Sequence, residues 1–474
     1  MTANLHRYLS DGWHDAAATF DVTEPASGEV LGRAADCGPD EARHAVDVAW
    51  RAFESWRTTT AFERSRILRR WYELMMEHQL ELGELMTREM GKPLRESRGE
   101  AAYAASFIEW YAEEGKRAYG SWIPTHHAGK RLLSMRQPVG PCYAVTPWNF
   151  PAGMLARKVA PALAVGCTMI VKPAKQTPFT ALRMAELWLE AGGPSGTLQV
   201  LPAWRPGPLT EVIMADPRVR KLTFTGSTEI GQVLFRQAAD TVKRLSLELG
   251  GHAPYLVFDD ADIAMAVREV TACKFRNAGQ TCVCTNRIYV QDGIHDEFVA
   301  AFAESVRGLR VGDPLDEATD IGPLVDAAGL AKAEEHVADA VAHGARLVVG
   351  GERAGGLYYQ PTLLTEVAPG MKILEEETFG PVAPVLRFTT EAEGIELANT
   401  TPYGLAAYLY TRDLGRAIRV AEALDFGLVG VNDGVPSVAH APFGGVKASG
   451  IGREGGPWGL EEYTETKYVS LGIG

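Results

Sequence analysis

The stretch FRNAGQTCVCTNR, Phe275 to Arg287, sets Cys282 and Cys284 two residues apart in a chain with only six cysteines. The pair could bind a metal, close a disulfide, pack as small buried side chains, or supply a nucleophile with a companion. A metal site needs three or four ligands, and the Cys-x-Cys spacing recurs nowhere and has no histidine cluster beside it, so no metal is predicted. A cysteine hydrolase needs a partner histidine, and the eleven histidines are scattered without a local signature. A free thiol has a pKa of about 8.5, so a nucleophilic Cys282 needs nearby positive charge or peptide dipoles, and Arg276 is one source. Gly279, Gln280 and Thr281 before it and the strand-like RIYV after it place Cys282 in a tight loop between helix and strand. A small buried hydrophobe is the plain alternative for either cysteine.

Four other segments carry groups that chemistry could use. SLELGGHAP ends a strand with Glu248 and two glycines, which sets a carboxylate where open α/β sheets gather ligands and lets another backbone approach closely. FTGSTEIG ends a strand at Thr225 and opens a helix, so Gly226, Ser227 and Gly231 would present helix N-terminal amides to a phosphate, although the spacing is not GxGxxG. In TPWNFP, Pro147 and Pro151 fix the backbone around Trp148 and Asn149, whose amide can be aimed at a developing oxyanion. VKPAKQTP puts Lys172 and Lys175 just after a strand, at the same edge.

Strands must deliver these groups, and the sequence alternates strands with helices. From Gln137 onward, short apolar runs (CYAVTP, TMIVKP, LQVLP, RKLTFTG, RLSLELG) alternate with amphipathic segments, which predicts repeated βαβ units and a parallel doubly wound sheet. A second series, PYLVFDDA, RIYVQ, RLVVGG, PVAPVLRF, LAAYLYT and GLVGVN, predicts a second α/β domain, with a helix over Asp296 to Leu309 between its strands. The first hundred residues read as mostly helical, with EARHAVDVAWRAFESW and the single long segment AFERSRILRRWYELMMEHQLELGELMTREMG packed on the first sheet. HAGKRLLSMRQPVG and EEYTETKYVSLGIG are extended, alternating stretches of the kind that form sheets with another subunit.

With 474 residues the chain can bury a large core, and 46% hydrophobic with 23% charged residues is the composition of a soluble globular protein. A net charge of -13 argues against a nucleic-acid or anionic-membrane surface. The apolar run Val159 to Val171 is too short for a membrane span. The opening MTANLHRYLSDGWHDA has neither an apolar signal core nor the character of a transit peptide, and the sparse cysteines do not suggest a secreted framework, so a cytoplasmic protein is expected.

Taken in order, PWNFP, VKPA, FTGSTEIG, LELGG, GQTC, EETFGPV and PFGGVKASGIGREG resemble the aldehyde dehydrogenase superfamily across essentially the whole chain. That resemblance implies the aldehyde dehydrogenase fold: a Rossmann-like NAD(P)-binding domain over 1–122 and 142–249, an α/β catalytic domain over 250–440, and a small β oligomerisation element from 123–141 and 456–474. It implies Cys282 as nucleophile, Asn149 and the Cys282 amide as oxyanion donors, and Glu248 as the base of thioester hydrolysis. It assigns Lys172 to the adenosine ribose, Gly226, Ser227 and Gly231 to the pyrophosphate, Glu377 and Phe379 to the nicotinamide ribose and ring, and Trp148 to the cofactor site. AWRPGPLTE replaces a more glycine-rich family loop before the next helix, which leaves contacts by Gly207 open.

FRNAGQTCVC, ELGGHAPYLVFDDAD, IGPLVD and LEEYTETKY are most similar to the succinate-semialdehyde dehydrogenase branch. By that likeness Arg157, Arg276 and Ser437 bind a distal substrate carboxylate, so the expected substrate is an aldehyde carrying one. Glutarate semialdehyde is the longer homologue; a broad-specificity aldehyde dehydrogenase or a catalytically silent structural protein is the alternative. Many NAD-selective relatives have glutamate where Lys175 stands, so NADP is the expected nucleotide, with NAD second. A homodimer or homotetramer is expected. In some relatives the TCVC pair closes as a redox switch, which makes Cys284 a candidate redox partner, against the reading of simple packing.

Overall fold

The structure is a computed structural model and describes residues 5–474. The first four residues of the expected 1–122 segment lie outside the described residues. Two large sheets and one small one organise the chain.

The first sheet has eight strands in the order 13–14, 8–9, 198–200, 169–172, 142–145, 221–225, 244–248 and 450–451. Its five central strands are parallel, and both edges close with antiparallel pairs. The central strands Cys142–Val145, Met169–Lys172 and Lys221–Thr225 read as nearly continuous buried runs because helices cover both faces. Helices α1 (Pro39–Trp56), α2 (Ala61–Glu77), α3 (Gln79–Met90) and α4 (Leu94–Glu114) precede this sheet. Helix α5 (Pro151–Val165) follows its first central strand and is buried on every side, as a helix apolar all round must be. Trp56, Trp71 and Trp188 pack edge to face beneath these helices, with ring centroids 6.0 and 5.4 Å apart. Each indole N–H is satisfied, at Leu163 O, Met184 O and Thr197 Oγ1.

The second sheet has seven strands in the order 346–349, 362–365, 382–388, 285–291, 253–257, 406–410 and 428–431, all parallel except the first. The expected intervening helix runs over His295–Arg307. Lys130–Pro138 pairs antiparallel with Thr464–Gly472 along its whole length and with Ser121–Ile123 on its other side. The two stretches expected to be extended are thus paired in a three-stranded ribbon, whose third strand is Ser121–Ile123.

Three expectations need correction. The long segment from Ala61 is two helices broken at His78, whose φ of -99° and ψ of 15° leave the helical region between α2 and α3. The N-terminal region holds strands at 8–9, 13–14, 19–23 and 30–35 before its first helix. AWRPGPLTE is loop only over its first three residues: α6 is Pro178–Glu190, α7 is Pro206–Ala215, and Gly207 lies in the first turn of α7. Proline is favoured at a helix start, where its missing N–H is an orphan anyway, so a stretch that reads as loop can open a helix.

Candidate active site

In the first sheet the chain order reverses at strand 142–145: the strands that follow it in sequence, 169–172 and 198–200, lie on one side, and 221–225 and 244–248 on the other. The carboxyl edge beside such a reversal is where open α/β sheets bind ligands. The turn from Thr146 to Phe150, Lys172, Gly226 with Ser227, and Glu248 all lie at that edge.

The nucleophile loop meets this edge from the second sheet. After α9, whose bounds are Ile263–Phe275, the chain turns through Asn277 (φ 52°), Ala278 (φ 53°) and Gly279 (φ 75°), three successive left-handed residues. The two non-glycine residues each carry strain of order 1–3 kcal/mol, so the surroundings must impose the turn. The Asn277 N–H donates to Glu96 at 2.8 Å, its Nδ2 donates to the Asn149 and Gln280 carbonyls at 3.1 and 3.2 Å, and the Val325 N–H donates to the Gln280 side chain at 3.0 Å. Glycine is required at 279, where a Cβ would stand 2.2 Å from the Gly380 oxygen. The glycine pair after Glu248 gives the close approach expected of it: a Cβ on Gly251 would stand 2.4 Å from the Cys282 carbonyl.

Cys282 lies at the junction of two cavities. One, of about 290 Å³, is lined by Cys282 together with Arg157, Arg276, Ser437, Tyr103, Phe150, Met154, Val435 and Phe443. The other, of about 220 Å³, is lined by Cys282 with Trp148, Asn149, Gly226, Ser227, Glu377 and Phe379. The fold thus gathers the expected anion-binding side chains on one side of the thiol and most of the expected nucleotide-binding groups on the other.

In the first cavity, Arg157 is 1% exposed, lies 3.9 Å above the Phe443 ring and makes a charge contact of 2.6 Å with Glu454. That contact is too bent for a hydrogen bond, and Arg157 Nη2 has no partner. Lys158 bonds the other Glu454 oxygen at 2.5 Å, so burial, which pushes the Glu454 carboxyl up, is overcome by the two cations. Arg276 sits above the Phe150 ring at 5.4 Å with its Nε unpartnered. The Ser437 hydroxyl shares a 2.7 Å hydrogen bond with Tyr103 OH.

Asn149 donates one Nδ2 hydrogen to the Gln280 carbonyl at 3.0 Å, which leaves the second hydrogen available. Its own carbonyl accepts from Lys92 Nζ at 2.9 Å. Lys92 is also paired with buried Glu100, whose other oxygen accepts the Ala152 and Gly153 N–H groups of the first turn of α5 at 2.9 and 3.1 Å. Among the described residues the Cys282 N–H donates to no backbone carbonyl.

Burial pushes the Cys282 thiol up to about 12; Arg157, and more weakly Arg276, pull it down, while Glu377 and Glu248 raise it. The expected influence of Arg276 is thus present but smaller than that of Arg157, and the closed site holds a protonated thiol. Glu248 is 3% exposed, lines neither cavity, and has no partner for either carboxyl oxygen. Burial first, then the Glu454 charge, holds it well above the usual carboxylate range. Glu377, which accepts the Gly251 N–H at 3.3 Å, is pushed by burial to about 8. Cys284 is 1% exposed and lines neither cavity; its Sγ faces the Lys274 and Thr285 carbonyls at 3.5 and 3.6 Å, not the pocket.

Gly226 and Ser227 bring the start of a helix to the second cavity. A Cβ on Gly226 would strike the Phe224 ring at 2.4 Å, and one on Gly231 would strike Leu249 at 2.4 Å, so both glycines keep backbone close to where α8 (Thr228–Ala239) begins. Ser227 caps that helix, accepting the Ile230 N–H at 3.4 Å. Trp148 and Phe379 meet edge to face at 5.5 Å, an aromatic corner beside Cys282.

Residues 13–469 match the aldehyde dehydrogenase family. The chain belongs to that family. Among its relatives, the succinate-semialdehyde dehydrogenase [NADP(+)] GabD of Escherichia coli (strain K12) is 55% identical, covering 99% of this chain and 99% of its own. A glutarate-semialdehyde dehydrogenase of Pseudomonas putida is 51% identical over 98% of this chain and 97% of its own. A solved E. coli NADP-dependent enzyme superposes with a TM-score of 0.98 at 54% identity, covering 99% of each chain. The aldehyde dehydrogenase fold of this chain is therefore established.

Sequence reasoning missed Glu96, Glu100 and Tyr103. They stand at i, i+4 and i+7 in α4, one helical face that carries charge toward the interior. Two acids and a tyrosine on a face otherwise built of alanine and phenylalanine are the signal that could have found them.

Proposed function

We propose that this aldehyde dehydrogenase oxidises succinate semialdehyde to succinate with NADP+ as the preferred acceptor. The observation that carries the reading is a nucleophile-loop cysteine sharing one cavity of about 290 Å³ with Arg157, Arg276 and Ser437. Two guanidinium groups and a hydroxyl suit the far carboxylate of a short ω-oxo acid, and charge-assisted contacts of this kind discriminate strongly against uncharged aldehydes. The E. coli relative named for this substrate and for NADP(+) supports the same reading. The glutarate-semialdehyde relative favours the one-carbon-longer substrate as a second activity of the same cavity.

The Cys282 thiol gives up its proton to water, and the thiolate attacks the aldehyde carbon to form a thiohemiacetal, whose oxyanion takes hydrogen bonds from the free Asn149 Nδ2 hydrogen and the Cys282 N–H. Trp148, Phe379, Glu377 and the Gly226–Ser227 turn would hold the nucleotide, which when bound supplies the hydride acceptor. Loss of hydride leaves a thioester on Cys282. Ionised Glu248 takes a proton from water, the hydroxide oxygen attacks the thioester carbonyl, and the Cys282 thiolate leaves. The Lys92–Glu100 pair anchors Asn149 and the start of α5, so the oxyanion donor and Arg157 keep a fixed relation.

The division into NAD(P)-binding, catalytic and oligomerisation segments belongs to this proposal. The ribbon of strands 121–123, 130–138 and 464–472 exposes Trp122 and Tyr468, which supports a homodimer or homotetramer formed there. Six free cysteines suit a reducing, cytoplasmic compartment. Among the described residues no helix is long and apolar enough to cross a membrane. A panel of succinate semialdehyde, glutarate semialdehyde and propanal with each nucleotide tests the activity. Equal kcat/KM for propanal and succinate semialdehyde would overturn the carboxylate assignment.

A further inference from the structure

The stretch in which this chain departs from the glycine-rich family loop, AWRPGPLTE, brings an aromatic ring onto a lysine. Lys175 Nζ lies 3.9 Å from the centre of the Trp204 ring. The chain at the ring is anchored by the Trp204 backbone N–H, which donates to Asp36 Oδ1 at 2.8 Å, and the Phe20 ring lies 5.7 Å from the indole. Trp204 remains 44% exposed and Lys175 is exposed, so the pair borders open space.

Positive charge collects here outside any ion pair. Lys172 ends the strand on which Lys175 follows, and among the described residues neither lysine nor Arg205 lies within 4.0 Å of a carboxylate. In a chain with a net charge of -13, three unpaired cations within this short reach of sequence and structure are a place for an anion. Burial, and then the Lys175 charge, lower the Lys172 pKa to about 8. The start of α7 does not meet the need with amides: Pro206 and Pro208 remove two of the N–H groups of its first turn. Side chains must carry the charge instead.

We propose that Trp204 is a positioning residue that holds the Lys175 ammonium by a cation–π contact at the adenosine end of the nucleotide site, and so favours the nucleotide bearing a 2′-phosphate. The inference rests on the reading that the chain binds nicotinamide nucleotides with NADP preferred. It adds the residue that keeps the flexible lysine from turning to solvent. A lysine left free has a compact charge on four rotatable carbons, and ordering it on binding costs affinity; a ring beneath it removes part of that cost.

The test is calorimetric titration of the full-length protein with NADP+ and with NAD+, without aldehyde. Replacing Trp204→Ala should raise the NADP+ Kd about 2- to 5-fold, the range of an exposed cation–π contact, and leave the NAD+ Kd unchanged. Trp204→Phe should retain most of the NADP+ affinity. In a Lys175→Met background the Trp204→Ala effect should vanish, because the ring then has no charge to hold. A Trp204→Ala effect of equal size on both nucleotides, or one that persists without Lys175, would show a wall for adenine and overturn the proposal. Equal affinity of the unaltered protein for both nucleotides would instead sink the nucleotide preference itself, and neither result bears on the substrate assignment.

Discussion

Arg276→Met is the cleanest probe of the substrate reading. Arg276 lines the cavity that holds Cys282, its Nε has no partner, and no carboxylate in the described residues lies within 4.0 Å of it. Removing it therefore breaks no ion pair, unlike Arg157, whose loss would leave Glu454 short of one of its two cations. Methionine keeps the length and apolar stem over Phe150. A hydrogen bond to a charged group contributes about 1.5–3 kcal/mol, so kcat/KM for succinate semialdehyde should fall roughly 10- to 150-fold. Propanal, which has no carboxylate, should lose at most about 2-fold. Steady-state kinetics with both aldehydes at saturating nucleotide reads the two numbers, and nucleotide titration checks that the cofactor site is intact. Equal losses for the two aldehydes would mean that Arg276 acts on the nucleophile loop and not on the substrate, and the carboxylate argument would then fail.

Cys282→Ala should abolish dehydrogenation, whereas Glu248→Gln should keep a pre-steady-state burst of reduced nucleotide and slow the turnover that follows; a lost burst with nucleotide binding intact would give Glu248 another role. The base works only when ionised and its pKa stands above the ordinary carboxylate range, so thioester hydrolysis in the unaltered enzyme should speed up as pH rises through neutrality and above. A hydrolysis rate flat from pH 5 to 9 would contradict that assignment. Because Cys284 Sγ is turned toward the Lys274 and Thr285 carbonyls, Cys284→Ala should recover from peroxide and thiol treatment as fully as the unaltered enzyme; recovery by the unaltered enzyme alone would restore a redox role to Cys284. Glu100→Gln leaves the Lys92 ammonium buried without its carboxylate and should destabilise the fold by about 3–5 kcal/mol in urea unfolding, and a loss below about 1 kcal/mol would show the pair to be dispensable.

The two large sheets were legible because their central strands are short, wholly buried runs separated by amphipathic helices, a pattern with few alternatives. The two-residue strands near the N-terminus were not, since pairs such as Tyr8–Leu9 are too short to show any period. Nor was the break at His78, where the apolar stripe continues across a bend. Within the site, the nucleophile loop and the Glu248 strand end could be found because backbone demands fix their glycines. The two cavities could only be expected from resemblance, because Arg157, Arg276 and Ser437 come from three separate segments. The direction of the Cys284 side chain and the Trp204 contact depend on tertiary packing, and nothing in the local sequence encodes them.

The left-handed turn at Asn277 and Ala278 also bears on how this enzyme could change over time. A β-branched residue at either position would meet its own backbone, so the frame that aims Cys282 tolerates almost no variation. Val435 and Ser437 face the same cavity from a coil segment without helix or strand, where backbone demands are slight. New aldehydes are therefore most accessible to selection through that coil, which can reshape the cavity wall while the machinery that makes and breaks the thioester stays fixed.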